Sequence, residues 1–599
     1  MSDNLAIKRW DTLVSMFFDQ VAARGDKPML HWKAAGEWHS LSWNEVSDRV
    51  TRLANALRVM GVEAGDRVVL VSENRPEWLI ADLAIMTAGA ISVPTYTTYT
   101  ARDYLHICEN SGARAAIVST KPLARTFLKA AHESDELIDV VVMEDPRIEQ
   151  SLNLNIHHWG DVLETLSAQA ADMELTELPE AGRDDIACLI YTSGTGGAPK
   201  GVKTHHGAIL HNCEGAARVI EELGLEDNTF LSFLPLSHSY EHSAGQFLPI
   251  SVGASIWYAE GLDKLASNMS EASPTIMVVV PRLFEVLRTK LTRQMAAAGG
   301  AKEKLFHLAI KLGTKRMVEP ENLTLWDNLV NAFLDATVRK QVRNKFGGRL
   351  KALVAGGAPL SPDVGFFFAS LNLPLLQGYG QTESGPVVSV NPPSAPRMHT
   401  VGKILENTQV KIAEDGEILV RGELVMKGYW RDVHTTDRTI KDGWLHTGDI
   451  GTFDEDQYLI ITDRKKDIIV NDKGDNVSPQ RVEGMLALEE EVAQAMVFGD
   501  RRPYLVGLIV PDDEWIRDWA KKNDKPNDYK VLKDDADFKN AIKDAISRVN
   551  SRLATVEKVK RFTLADDHFT VDNEQMTPTM KIRRHVINET YRDRLEGLY

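Results

Sequence analysis

Cysteine is scarce: Cys108, Cys188 and Cys213 are the only three in 599 residues, and none stands in a metal-ligand spacing. That count excludes a disulfide framework and fits a reducing compartment. Long hydrophobic runs are missing too. The longest strongly apolar runs, such as residues 276–280, are far too short to cross a bilayer. The first ten residues lack the apolar core of a signal peptide, so the expected location is cytoplasmic. No polybasic tail or lipidation signal is present, and no repeat or low-complexity tract. Positive charge is in deficit, with 69 Lys and Arg against 85 Asp and Glu and a net charge of −16. This argues against a nucleic-acid binder with a general basic surface. A site for a polyanion must therefore be locally basic and rich in backbone N–H groups. Membrane contact through a local patch, at the inner face of a membrane, stays open, as does the oligomeric state.

What is present is an ordinary globular composition, 43% hydrophobic and 26% charged, in a chain too long for one ordinary domain. From Asp11 to Thr192 helical and strand patterns alternate: 43–60 helix, 67–72 strand, 76–87 helix, 90–94 strand. Alternation of this kind predicts α/β layers with a largely parallel sheet. Residues 281–350 have almost purely helical periodicity, with three apolar stripes. These are Leu283, Val286, Leu287 and Leu291; Leu305, Leu308, Ala309 and Leu312; and Leu329, Val330, Phe333, Val338 and Val342. All three are expected to be mainly core. Short strands and turns between Gly402 and Asp463 predict a β-rich subdomain. A boundary falls at Asp463-Arg-Lys-Lys-Asp467, giving domains 1–463 and 464–599.

The most informative stretch is Tyr191-Thr-Ser-Gly-Thr-Gly-Gly-Ala-Pro-Lys200, which follows the short apolar strand 186–190. Glycines let backbone N–H groups approach an anion, hydroxyls add donors, and a lysine neutralises charge. A Gly-rich surface turn is the plain alternative. A Walker loop is not, because Lys200 is followed by Gly201 and not by Ser or Thr. Four further segments join it. Val354 to Leu360 reads as a strand ending in a Gly-Gly turn. Gln377-Gly-Tyr-Gly-Gln-Thr-Glu-Ser384 offers an aromatic, a hydroxyl and a carboxylate. Trp444-Leu-His-Thr-Gly-Asp449 precedes Arg464 by fifteen residues. Met576-Thr-Pro-Thr-Met-Lys581-Ile-Arg-Arg584 lies near the end of the chain. Any one of these alone reads as a solvated surface feature or an ordinary turn.

Together and in this order they resemble the signature motifs of the adenylate-forming superfamily, over residues 10 to 595. Gly196 replaces the usual second threonine of the first motif. Ser72-Glu-Asn-Arg-Pro-Glu-Trp78, followed by Asp82, Gly89 and Pro94, and the inserted helical block resemble the long-chain fatty acyl-CoA ligases of that superfamily. The resemblance implies a large N-terminal domain of layered α/β subdomains with a β-barrel-like subdomain, and a small mobile C-terminal α+β domain. It implies ATP, coenzyme A and a fatty acid as substrates, with Mg²⁺. Thr192, Ser193, Gly194, Thr195, Gly196, Gly197 and Lys200 then hold phosphates. Gly357, Ala358, Pro359, Gln377, Gly378, Tyr379 and Gly380 surround the adenine, which stacks on Tyr379. Asp449 and Arg464 hold the ribose and phosphate. Thr382 contacts the α-phosphate, Glu383 with Thr195 holds Mg²⁺, and one carboxylate suffices for a cation that also takes phosphate and water oxygens. Lys581 stabilises charge on the crowded phosphorus, and His238 abuts the acyl carboxylate. A hinge at Lys466 swings Lys581 out and the 471–478 loop in, with Gly474 beside the pantetheine chain. After His238 the chain reads Tyr240, Glu241, His242, with histidine where these ligases usually carry arginine, and it lacks the tryptophan gate of another subgroup. A carrier protein as acyl acceptor would leave every nucleotide motif unchanged.

Overall fold

A computed structural model of the chain describes residues 8–147, 154–170, 180–192, 198–577 and 581–599. Ser193, Gly194, Thr195, Gly196 and Gly197 of the first motif lie outside the described residues.

Two large sheets carry the first four hundred residues. One has seven strands, and its centre is parallel: Arg67–Val71 lies between Ile91–Thr95 and Ala113–Val118. It ends in an antiparallel hairpin of Ile186–Thr192 with Lys200–His205, which pairs Tyr191 with Gly201 and Thr192 with Lys200. Thr192 and Lys200, on the two sides of the first motif, thus stand opposite each other on paired strands. A Cβ at Gly201 would stand 3.1 Å from the Tyr191 ring, tighter than ordinary contact. The other sheet has nine strands, with a parallel centre that includes Ile276–Val279, Ala352–Ala355 and Leu375–Gly380. Helix Pro76–Thr87 touches both sheets and is apolar on nearly every side, as its near-complete burial demands, with Asp82 the buried exception. Helix Trp43–Val59 starts at a capping box in which Ser42 and Glu45 satisfy each other's backbone N–H groups.

The helical block forms Pro281–Ala298, Gly300–Val318 and Leu325–Leu334, as its periodicity predicts. Arg339 holds it to the body. Fully buried, its guanidinium donates to the carbonyls of Ser370 (2.7 Å) and Ala309 (2.7 Å) and to Asp335 Oδ1 (3.0 Å). Gly313 lets helix Gly300–Val318 close on helix Pro362–Ser370, where a Cβ would come 2.5 Å from the Ser370 carbonyl oxygen. The stripes are only partly core, and here the sequence expectation needs correction. Leu291, Ala309, Leu312 and Val342 are buried, but Leu329 is 66% exposed and Phe333 54%. Helix Leu325–Leu334 needs only one flank, Val330 and Leu334, to seat on its neighbour.

Residues 409–464 form a five-stranded antiparallel sheet. Beyond it Val492–Phe498, Leu505–Pro511 and Val559–Leu564 make a small sheet with its own core, covered by helices that include Pro479–Leu486 and Ala536–Asn550. This C-terminal body is tied to the rest by Arg293 with Asp512 (2.8 Å) and Glu514, and by Arg552 with Asp363.

Candidate active site

The two bodies enclose a cavity of about 2280 Å³. Thr192, Lys200, His238, Gly357, Ala358, Pro359, residues 377–383, Asp449, Arg464, Lys466 and Lys581 all line it. Strand register brings part of this set together. Asp449 lies directly opposite Arg464 on paired antiparallel strands, with Oδ1 3.4 Å from Nε. The other Asp449 oxygen accepts from the Tyr379 hydroxyl at 2.8 Å. Burial raises the Asp449 carboxyl above its ordinary value, and Arg464 and Tyr379 oppose that rise. Gly380 is required where strand Leu375–Gly380 turns, since a Cβ would overlap the Pro386 carbonyl oxygen at 1.7 Å. Gly357, at φ +80°, ends strand Ala352–Ala355 in the left-handed region that favours glycine.

Lys581 reaches this site from the C-terminal body, its backbone N–H donating to Thr577 Oγ1 at 3.1 Å. The Lys581 residue is exposed to the open cavity, yet protein on both sides of the cavity crowds its ammonium and strips water from it. That desolvation lowers its ammonium, as does Arg464, while Asp449 and Glu383 pull it back. His238 feels both burial and the Lys581 charge and is pushed down to about 3. Its Nδ1 accepts from the Tyr240 N–H at 3.2 Å, so the imidazole is neutral and its proton sits on Nε2. Glu383 accepts from the Tyr429 hydroxyl at 2.8 Å, and Thr382 shares a 3.0 Å hydrogen bond with Ser239. Lys200 donates to Asp432 (2.9 Å) and Thr435 (2.7 Å), which holds Asp432 well below the usual carboxylate range. Tyr429, Asp432 and Thr435 belong to no motif that the sequence announces. Gly474, at φ +87°, does not line the cavity and stands exposed in the turn after Asn471.

From this polar end the cavity continues as an apolar arm. Its walls are Ala216, Val219 and Ile220 on helix His206–Glu221, with Phe230, Ile276, Val278, Val354 and Leu376 on strands of the nine-stranded sheet. Ala244 and Leu248 close one side. Ala244 belongs to the π-helical turn Glu241–Phe247, where a Cβ on Gly245 would lie 2.2 Å from Glu241 Oε1. Burial pushes the Glu241 carboxyl up to about 8, with the Ser232 hydroxyl donating to it at 2.6 Å. Next to it His242 pairs with Asp82 at 2.9 Å, both fully buried.

The sequence profile described as "AMP-binding enzyme" matches residues 17–430, and that of the "AMP-binding enzyme C-terminal domain" matches residues 466–599. The chain belongs to the AMP-binding enzyme family. Curated relatives of this AMP-binding enzyme include the long-chain-fatty-acid–CoA ligase FadD15 of Mycobacterium tuberculosis, 32% identical over 98% of this chain and 97% of its own length. Another is human long-chain-fatty-acid–CoA ligase 6, 31% identical over 98% and 86%. Among solved structures, the adenylation domain of a carboxylic acid reductase from Segniliparus rugosus, with AMP and a co-purified carboxylic acid, has TM-score 0.77 at 20% identity, covering 99% of this chain and 95% of its own. A benzoate CoA ligase from Burkholderia xenovorans has TM-score 0.69 at 20% identity, covering 96% and 100%. These two share the fold.

Proposed function

We propose that this enzyme activates a long-chain fatty acid with ATP and passes the acyl group to coenzyme A. One observation carries the reading: a single cavity is lined both by the cations Lys581 and Arg464 and by a set of apolar side chains that includes Ala216, Val219, Ile220 and Phe230. In the first step a carboxylate oxygen attacks the α-phosphorus and pyrophosphate leaves with the electron pair of the broken P–O bond. In the second, the thiolate of coenzyme A attacks the acyl carbon and AMP leaves. Converting a carboxylate to a mixed anhydride replaces oxide, a hopeless leaving group, with AMP.

Lys581 supplies positive charge where the pentacoordinate phosphorus gathers negative charge. Lys200 takes the β- and γ-phosphates, exchanging its bond to Asp432 for them. Tyr379 stacks on adenine, and Asp449 turns from its hydroxyl to the ribose. His238 donates from Nε2 to the carboxylate. Among the described residues no three His, Cys, Asp or Glu side chains cluster as an ion cage. Glu383 nevertheless faces the cavity with hard oxygen donors, a set that fits a cation held mostly by phosphates and water. Mg²⁺ bound there would offset phosphate charge.

Lys581 would obstruct the incoming thiol, so the C-terminal body rotates between the steps. Supporting this, Lys581 faces the cavity while Gly474 faces solvent, and Lys466 sits exposed in the turn directly after strand Leu459–Arg464. The test is product analysis with MgATP, coenzyme A and acids from acetate to very long chains. AMP, pyrophosphate and a long-chain thioester are expected. AMP-forming activation without a thioester would move the acceptor to a carrier protein.

A further inference from the structure

One buried pair of ionisable groups takes no part in the chemistry described above. Asp82, on helix Pro76–Thr87, and His242, in the π-helical turn Glu241–Phe247, are both fully buried, with Nε2 2.9 Å from Oδ2. The imidazole stands edge-to-face with two rings, Trp78 at 5.7 Å and Phe247 at 5.0 Å. Three buried polar atoms of this cluster, Asp82 Oδ1, His242 Nδ1 and Trp78 Nε1, have no hydrogen-bond partner among the described residues. Such a cluster is a poor stabilising device. A buried ion pair is often matched or bettered by apolar groups of the same bulk, and each orphaned polar atom adds a further cost. Single π-helical turns, moreover, gather at functional sites.

The turn has two sides. Tyr240, Ala244 and Leu248, at steps of four residues, line the cavity, while Glu241, His242, Gln246 and Phe247 are buried and do not. From the nine-stranded sheet, Ser232 donates to Glu241 at 2.6 Å and accepts from Gln246 at 3.2 Å, and Tyr258 donates to Gln246 at 2.9 Å. Asp82 holds the turn from helix Pro76–Thr87. The backbone N–H of His242 donates to the His238 carbonyl at 2.9 Å, so the pinned residue lies one turn beyond the imidazole that donates to the acyl carboxylate. We infer that Asp82 and His242 are positioning residues for adenylation, fixing the turn Glu241–Phe247 so that His238 and Ala244 stay set against the bound acid. That role rests on the function proposed above; the pinning of the turn does not. Neither side chain lines the cavity, so both act through the turn. A shift of about 1 Å in a positioned group can cost on the order of 10²-fold in rate.

Two variants of the full chain separate positioning from folding. His242→Gln keeps an N–H donor at the place of Nε2, so kcat for adenylation should stay within about threefold of wild type. Asp82→Leu combined with His242→Leu removes both polar groups and strands neither, so its melting temperature should equal or exceed that of wild type. Its kcat with a long-chain acid, read as pyrophosphate release, should fall by about tenfold to hundredfold with KM for ATP unchanged. Should the double variant fold poorly, His242→Asn, whose amide stops short of Asp82, takes its place with the same expected loss. Hydrogen exchange of backbone amides 238–248, measured without substrate, should quicken in the double variant and hold in His242→Gln. A stable double variant as fast as wild type would overturn the proposal, and so would His242→Gln as slow as the double variant. If wild type activates no acid, the catalytic reading falls and exchange alone decides the pinning: faster exchange in the double variant upholds it, and unchanged exchange removes it.

Discussion

Lys581 carries the heaviest chemical load of any single residue, and its setting gives it a pH signature. Burial and Arg464 lower the ammonium, so its charge is lost at a lower pH than for an ordinary lysine. Adenylation should therefore decline on the alkaline side below the usual lysine range. The decline should come earlier in kcat/KM than in kcat, because bound ATP phosphates favour the charged form. Thioester formation from supplied acyl-adenylate should show no such limb. Lys581→Ala should slow adenylation on the order of 10²–10³-fold and spare that second step, as single-turnover assays of each would report. His238, already neutral at any working pH, should add no limb of its own. Glu241 works the other way. Its carboxyl, raised to about 8, keeps a proton in the folded state that the unfolded chain releases above its ordinary value near 4.5. Stability is thus lost as pH climbs between those values. Glu241→Gln, which cannot ionise, should gain on the wild type by on the order of 1–3 kcal/mol between pH 5 and pH 8, read from denaturant midpoints.

At the scale of elements, helix His206–Glu221 and the strands facing it decide which acids fit. Ala216 lines the apolar arm, and Ala216→Trp should block it. Activity on long acids should drop at least about tenfold while short acids keep their rate, measured as kcat/KM across a chain-length series. Elements were the scale at which sequence was most readable. The alternation of patterns gives the α/β layers, and the helix at Pro76–Thr87 follows from its proline start and apolar length. The motifs name most residues of the polar end because phosphate and ribose recognition demand glycine, hydroxyl and charge at fixed offsets. The apolar arm was not readable. Val219 and Ile220 have the same chemistry and spacing as any core residue, and only the facing sheet shows that space lies between. Tyr429, Asp432 and Thr435 escaped for a related reason, since a partner supplied from across the fold leaves no local pattern. The outward face of Leu325–Leu334 misled by the same logic, because periodicity marks an apolar side but not what covers it.

For the whole molecule, the two bodies must both hold together and move. Arg293, with Asp512 and Glu514, holds them in the arrangement that presents Lys581. Half-exposed pairs of this kind contribute up to about 1 kcal/mol, so Arg293→Ala should tilt the balance between the two half-reactions by at most about fivefold toward thioester formation. Lys466→Pro, stiffening the turn between the bodies, should slow one half-reaction far more than the other. Equal slowing of both would remove Lys466 from the hinge. Charge is also spread unevenly along the chain: residues 281–345 hold thirteen Lys and Arg against six Asp and Glu, while the whole chain carries −16.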